Sequence, residues 1–157
     1  MRKTSILLIT ATLILSCKEF NKNTKALPKD KIVDVKEISN KNCISDFETF
    51  FKKFAKDSVY QKRMIAYPLK SQYYGEDSYE ELKTELIRNE SEFRYINFAD
   101  DSKAMNSKTG KFTIKKKTTK NKVIYTRFGY DNGIYISYEF NLINGCWYLV
   151  KIKDESS

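Results

Sequence analysis

The chain has no histidine. That removes the commonest general base near neutral pH and the commonest zinc ligand, so neither a Ser-His-Asp nor a Cys-His device can be assembled. Any enzyme built on this sequence would rely on carboxylates, tyrosines, lysines or a thiolate. No cofactor motif is present, and no internal repeat is visible. A long apolar run is missing too. The most hydrophobic stretch, from Ile6 to Ser16, is too short for a membrane span of about 20 residues. Acidic residues are outnumbered, 20 against 29 basic ones. Cysteine is scarce, at three.

The short apolar run has a different meaning. Arg2 and Lys3 precede it as a positive n-region, and its length suits the hydrophobic part of an export signal. Ile14-Leu15-Ser16-Cys17 then resembles a bacterial lipoprotein signal, with a branched residue at −3, a small residue at −1 and a cysteine to be acylated. The expected division is a signal peptide over 1–16, a lipid-anchored tether over 17–42, a folded domain over 43–154 and a tail over 155–157. Lys18, rather than an aspartate, follows the cysteine. This points to the outer membrane of a Gram-negative envelope, with the periplasmic and surface sides both open. Cleavage before Cys17 also removes Arg2 and Lys3, leaving 27 basic against 20 acidic residues, a net charge of +7. Such an excess attracts anionic lipid or polysaccharide, and the exported address argues against nucleic acid. With Cys17 acylated, Cys43 and Cys146 remain in an oxidising compartment. Two readings stay open for them: a disulfide closing a long loop, or two buried thiols.

From Lys18 to Asn42 no period lasts long enough to build an element. Order begins at Ser45-Asp46-Phe47-Glu48, which has capping-box spacing. Phe47, Phe50, Phe51 and Phe54 follow at i, i+3, i+4 and i+7, one wide apolar stripe. The Ser58 to Gln61 spacing predicts a second short helix. Met64 to Tyr67 reads as a strand start, which Pro68 limits to an edge or a bulge. Ser78-Tyr79-Glu80-Glu81 predicts a third helix, with Tyr79, Leu82, Leu86 and Ile87 on one face. Asp100 to Gly110 is polar and reads as a loop, its adjacent acids too few for a metal site.

The remainder reads as an antiparallel meander, with strands starting at Phe112, Lys122, Ile134 and Cys146 and Asn-Gly turns at 132–133 and 144–145. Two-residue turns set Leu142 opposite Trp147 and Val123, Phe140 opposite Leu149 and Tyr125, and Tyr138 opposite Lys151 and Arg127. One face is thus apolar and gains cations toward one end. Arg127 is the main candidate for ligand binding, since a guanidinium there would hold a carboxylate or phosphate bidentately beside Tyr138 and Tyr125. Tyr67 joins them as a candidate. The alternative is an arginine that reaches water or pairs with an acid of its own chain. The lysine-rich hairpin tip from Lys115 to Lys122 could touch anionic head groups, or simply stay solvated.

Helices first, an early strand, a helix, then a long meander: this order resembles the nuclear-transport-factor-2-like fold. The closing segment from Glu139 through Asn144-Gly145-Cys146-Trp147 to Ile152 resembles the final hairpin of such proteins. The run from Phe47-Glu-Thr-Phe50-Phe-Lys-Lys-Phe54 to Gln61-Lys-Arg63 and Tyr67-Pro68-Leu69 is similar to the opening of a lipoprotein family with that fold, domain of unknown function 4348. The resemblance implies an α+β cone, N-terminal helices packed on a strongly curved antiparallel sheet. It implies no catalytic residues. The first expectation is a non-catalytic envelope module that binds a small molecule or a protein. The alternatives are a cone-fold enzyme of isomerase or dehydratase type using Asp and Tyr, and a structural module that dimerises through its sheet. No aspartate falls on the apolar faces of the strands whose register can be read.

Overall fold

The computed structural model describes residues 43–75 and 78–157. The expected signal peptide and tether, and Cys17 with them, lie outside the described residues. Two helices come first, α1 (Phe47–Phe54) and α2 (Ser58–Arg63). Six strands follow: β1 (Ile65–Gly75), β2 (Ser78–Ile87), β3 (Phe112–Thr118), β4 (Lys122–Gly129), β5 (Tyr135–Ile143) and β6 (Cys146–Asp154). A short 3-10 helix, Asp101–Asn106, stands between β2 and β3. The strands form one curved sheet in the order β2-β1-β6-β5-β4-β3. Every pairing is antiparallel except β1 with β6, which is parallel, so the sheet is mixed.

Both helices begin one residue away from the expected cap. Asp46, not Ser45, caps α1, its side chain accepting from Thr49 N at 2.9 Å. The Ser45 carbonyl instead accepts from the Trp147 indole at 2.8 Å, tying the helix entry to β6. Asp57 caps α2 through bonds from Val59 N and Tyr60 N. Glu48 in the first turn of α1 and Lys52 and Lys53 in its last complement the helix dipole. The α1 phenylalanines lie on the inner sheet face as expected. Phe50 and Phe54 are fully buried, and the rings of Phe47, Phe50, Phe51 and Phe54 all pack edge-on against Phe140.

The third expected helix is a strand. Ser78 to Ile87 pairs antiparallel with β1, Leu82 opposite Tyr74 and Ile87 opposite Leu69. Helix-favouring Glu, Leu and Lys yield here to the hydrogen bonds that β1 offers, which an isolated ten-residue helix could not match. Glu81-Leu82-Lys83-Thr84-Glu85-Leu86 also alternates with period two, and charge on an edge strand discourages pairing with another chain. β1 is interior, between β2 and β6, not an edge. Its register with β6 breaks between Ile65 and Lys70, the interval that holds Pro68.

Two turns correct the expected register. Gly129 N donates to Ile134 O, so the β4–β5 connection comprises residues 130–133 rather than two residues, with Asp131 and Gly133 at positive φ. Val123 therefore faces Phe140 and Tyr125 faces Tyr138, a slip of two that preserves the faces. Arg127 faces Ile136 rather than Tyr138, yet stays on the inner side. Between β5 and β6 the Asn144-Gly145 turn holds, and Leu142 meets Trp147 and Phe140 meets Leu149 as expected. A bulge then intervenes between Glu139 and Phe140. Beyond it Tyr138 pairs with Ile152, not Lys151. The one-residue slip turns Ile152 toward the core and Lys151 outward.

Cys43 and Cys146 are joined by a disulfide, with Cα atoms 5.0 Å apart across a separation of 103 residues. It staples the start of the described domain to the first residue of β6. Among the described residues no helix is long and apolar enough to cross a membrane.

Candidate functional site

β4 and β5 project Tyr125, Arg127 and Tyr138 onto the inner face, and the 3-10 helix brings Asp101 down on them. The Arg127 guanidinium donates from Nε to Asp101 Oδ2 at 3.0 Å and from Nη2 to Asp101 Oδ1 at 2.8 Å, a bidentate pair. Nη2 also donates to the Asn97 carbonyl at 2.6 Å, and Nη1 to the Tyr138 hydroxyl at 3.1 Å. Phe98, Phe112 and Tyr138 stand around the guanidinium carbon at 4.9, 5.4 and 5.4 Å. The Tyr125 hydroxyl donates to Asp101 Oδ2 at 2.8 Å. Side-chain exposure is 14% for Arg127 and 5% for Asp101.

Burial and charge together set the titration of the tyrosines. Burial pushes Tyr125 far above the ordinary tyrosine range, and its bond to the Asp101 carboxylate pushes the same way. Burial raises Tyr138 to about 12, with the Arg127 charge opposing and the Asp101 charge assisting. Both phenols therefore stay protonated through neutral pH and act as hydrogen-bonding groups, not as bases.

The bidentate position expected for a ligand carboxylate on Arg127 is taken by Asp101. Four of the five guanidinium hydrogens are committed within the chain, leaving one on Nη1. Of the expected binding set, Arg127, Tyr125 and Tyr138 do come together. Tyr67 does not: among the described residues no hydrogen bond or ring contact links it to the others. Its hydroxyl is buried without a partner, and burial, with Glu90 adding, raises it to about 12. An open cleft of about 620 Å³ runs beside the cluster, edged by Asp100, Lys103, Asn106 and Phe112, with Asp101 and Arg127 in its wall. The lysine-rich hairpin tip takes no part, although Lys116 reaches back to Glu48 on α1 at 2.7 Å.

Asp101 is the residue that sequence reading missed. It is carried by a polar connection whose path no strand register can fix. One signal for it exists: an arginine committed to an apolar face needs a carboxylate, and Asp100-Asp101 lies in the connection that precedes β3. Phe98, packed at 4.8 Å on Tyr138 and 5.3 Å on Phe51, comes from the same connection. Among the described residues no three His, Cys, Asp or Glu side chains gather where they could hold a metal ion.

No curated protein matches the sequence significantly. Among solved structures, a cystatin-like protein from Bacteroides caccae ATCC 43185 is similar with a TM-score of 0.51 and 20% identity, over 69% of this chain and 74% of that one. An NTF2-like protein from Bacteroides fragilis NCTC 9343 matches at TM-score 0.49 and 22% identity, over 71% of this chain; the chain spans 47% of that protein's length. The fold is the α+β cone of the nuclear-transport-factor-2-like and cystatin-like proteins. The model of the family described as domain of unknown function DUF4348 matches residues 17–154, and the chain belongs to that family.

Proposed function

We propose that the protein is a lipid-anchored component of a Gram-negative cell envelope whose cone domain acts by binding rather than by catalysis. The observation that carries the second half is Asp101. It is the one buried acid among the described residues, and both its oxygens are committed to Arg127 and Tyr125. Three such bonds occupy that carboxylate within the chain, whereas an isomerase or dehydratase would need it free to meet its substrate. The chain has no histidine to take its place.

The anchored half rests on the Ile14-Leu15-Ser16-Cys17 pattern, on a family match that starts at that cysteine, and on a disulfide of the kind kept in oxidising compartments. In native host cells fed labelled palmitate, the full chain should carry label and sediment with membranes. Cys17→Ser should lose both. Label and sedimentation unchanged in the variant would overturn the anchor.

A further inference from the structure

The outer sheet face presents a second feature, independent of the Asp101 cluster. Strand register aligns Lys115, Thr126, Ser137, Lys153, Gln72 and Thr84 side by side across all six strands. Their groups are already in contact at two points, Thr126 Oγ1 to Ser137 Oγ at 3.2 Å and Gln72 Nε2 to Thr84 Oγ1 at 3.2 Å. The neighbouring row runs Lys117, Ile124, Glu139, Lys151. Between β3 and β6 these rows line a groove of about 430 Å³, flanked by the rings of Phe128 and Tyr135, each 39% exposed.

We infer that this groove binds an acidic oligosaccharide. Charge is the first reason. Five lysines line it against two glutamates, and those two are spoken for: Glu139 by Lys122 and Glu155 by Lys153, each at 2.7 Å. Lys115, Lys117 and Lys151 have no carboxylate within ion-pair distance among the described residues, so they favour an anion. The second reason is the chemistry between the cations. Hydroxyl and amide groups in a row suit the alcohols of a sugar chain, and an exposed tyrosine ring suits the C–H face of a pyranose. The third is spacing. Adjacent strands lie about 4.8 Å apart, close to the length of one hexose unit, so a chain crossing from β3 to β6 advances about one sugar per strand. A second copy of this chain fits poorly, because a symmetric face-to-face contact would set lysine rows on lysine rows.

This deepens the binding reading by naming its ligand class, and it does not need the anchor. The test titrates the full-length protein, in detergent, with an oligogalacturonate hexamer. Maltohexaose, polyglutamate and phosphatidylglycerol vesicles serve as competitors for the assignment. The expected result is saturable binding of the uronate that weakens with salt, little binding of maltohexaose, and weaker binding of polyglutamate and vesicles. Lys117→Gln with Lys151→Gln should weaken uronate binding about tenfold at an unchanged melting temperature. Tyr135→Ala should weaken the uronate but not polyglutamate, and Lys56→Gln, on an exposed site near α1, should change nothing. Polyglutamate or vesicles binding as tightly as the uronate would overturn the assignment, as would insensitivity to the lysine pair or self-association that the pair abolishes. Failure here with loss of palmitate in Cys17→Ser would remove the groove and leave the anchor standing; the reverse pair of results would remove only the anchor.

Discussion

At the scale of single residues the molecule turns on Arg127. A guanidinium carried by a strand into an apolar interior is unfavourable alone, and the chain answers with Asp101, the Asn97 carbonyl and Tyr138. Asp101→Asn removes the countercharge and leaves the cation in place. It should cost about 2 to 3 kcal/mol, below the full value for a wholly buried pair because Arg127 is partly exposed, and urea denaturation reads that loss. The tyrosines make a separate prediction. An unfolded tyrosine ionises near pH 10, whereas folded Tyr138 holds its proton to about 12. Above pH 10 the unfolded state therefore binds fewer protons than the folded one, and stability falls as pH rises. The urea midpoint should be level between about pH 7 and 9 and decline between about 10 and 12, with Tyr138 contributing up to about 1.4 kcal/mol per pH unit. Tyr138→Phe should make the decline shallower.

At the scale of elements, α1 and the meander were legible in the sequence, and β2 was not. The four phenylalanines repeat with helical period, and only a facing apolar surface can absorb them. Phe54→Ala should cost about 3 to 5 kcal/mol, since its ring is fully buried between Phe50, Phe98 and Phe140. Phe51→Ala, at a half-buried ring, should cost visibly less; equal losses would mean that the helix is rotated from this position. The Ser78 to Ile87 segment carries both a helical and a strand pattern, and β1 decided between them. The expected caps at Ser45 and Ser58 missed by one residue for a simpler reason. Asp46 and Asp57 are equally able caps, and sequence spacing does not say where the backbone turns.

At the scale of the whole molecule the disulfide fixes the entry of the domain against its last strand. Closing a loop of about 100 residues is worth up to about 5 kcal/mol in the chain-entropy account. Cys43→Ser paired with Cys146→Ser should lower unfolding free energy by several kcal/mol, whereas reductant should have no effect on that double variant. The two faces of the sheet then divide the work. The inner one is filled by α1, Phe98 and the Asp101–Arg127 pair. The outer one carries the lysine rows.

What this sequence determined alone was whatever depends on near neighbours or on counting. The lack of an imidazole, the aromatic stripe of α1 and the Asn144-Gly145 hairpin are all of that kind. The membership of Arg127, Tyr125 and Tyr138 in one inner-face group belongs here too, because a slip of two residues leaves side chains on the same face. Tertiary structure alone decided the fate of β2, the bulge that moved Lys151 outward, the Cys43–Cys146 pairing and the arrival of Asp101. Each depends on groups distant in sequence meeting in space, where a partner's hydrogen bonds or charge outweigh local preference by more than a short segment can resist.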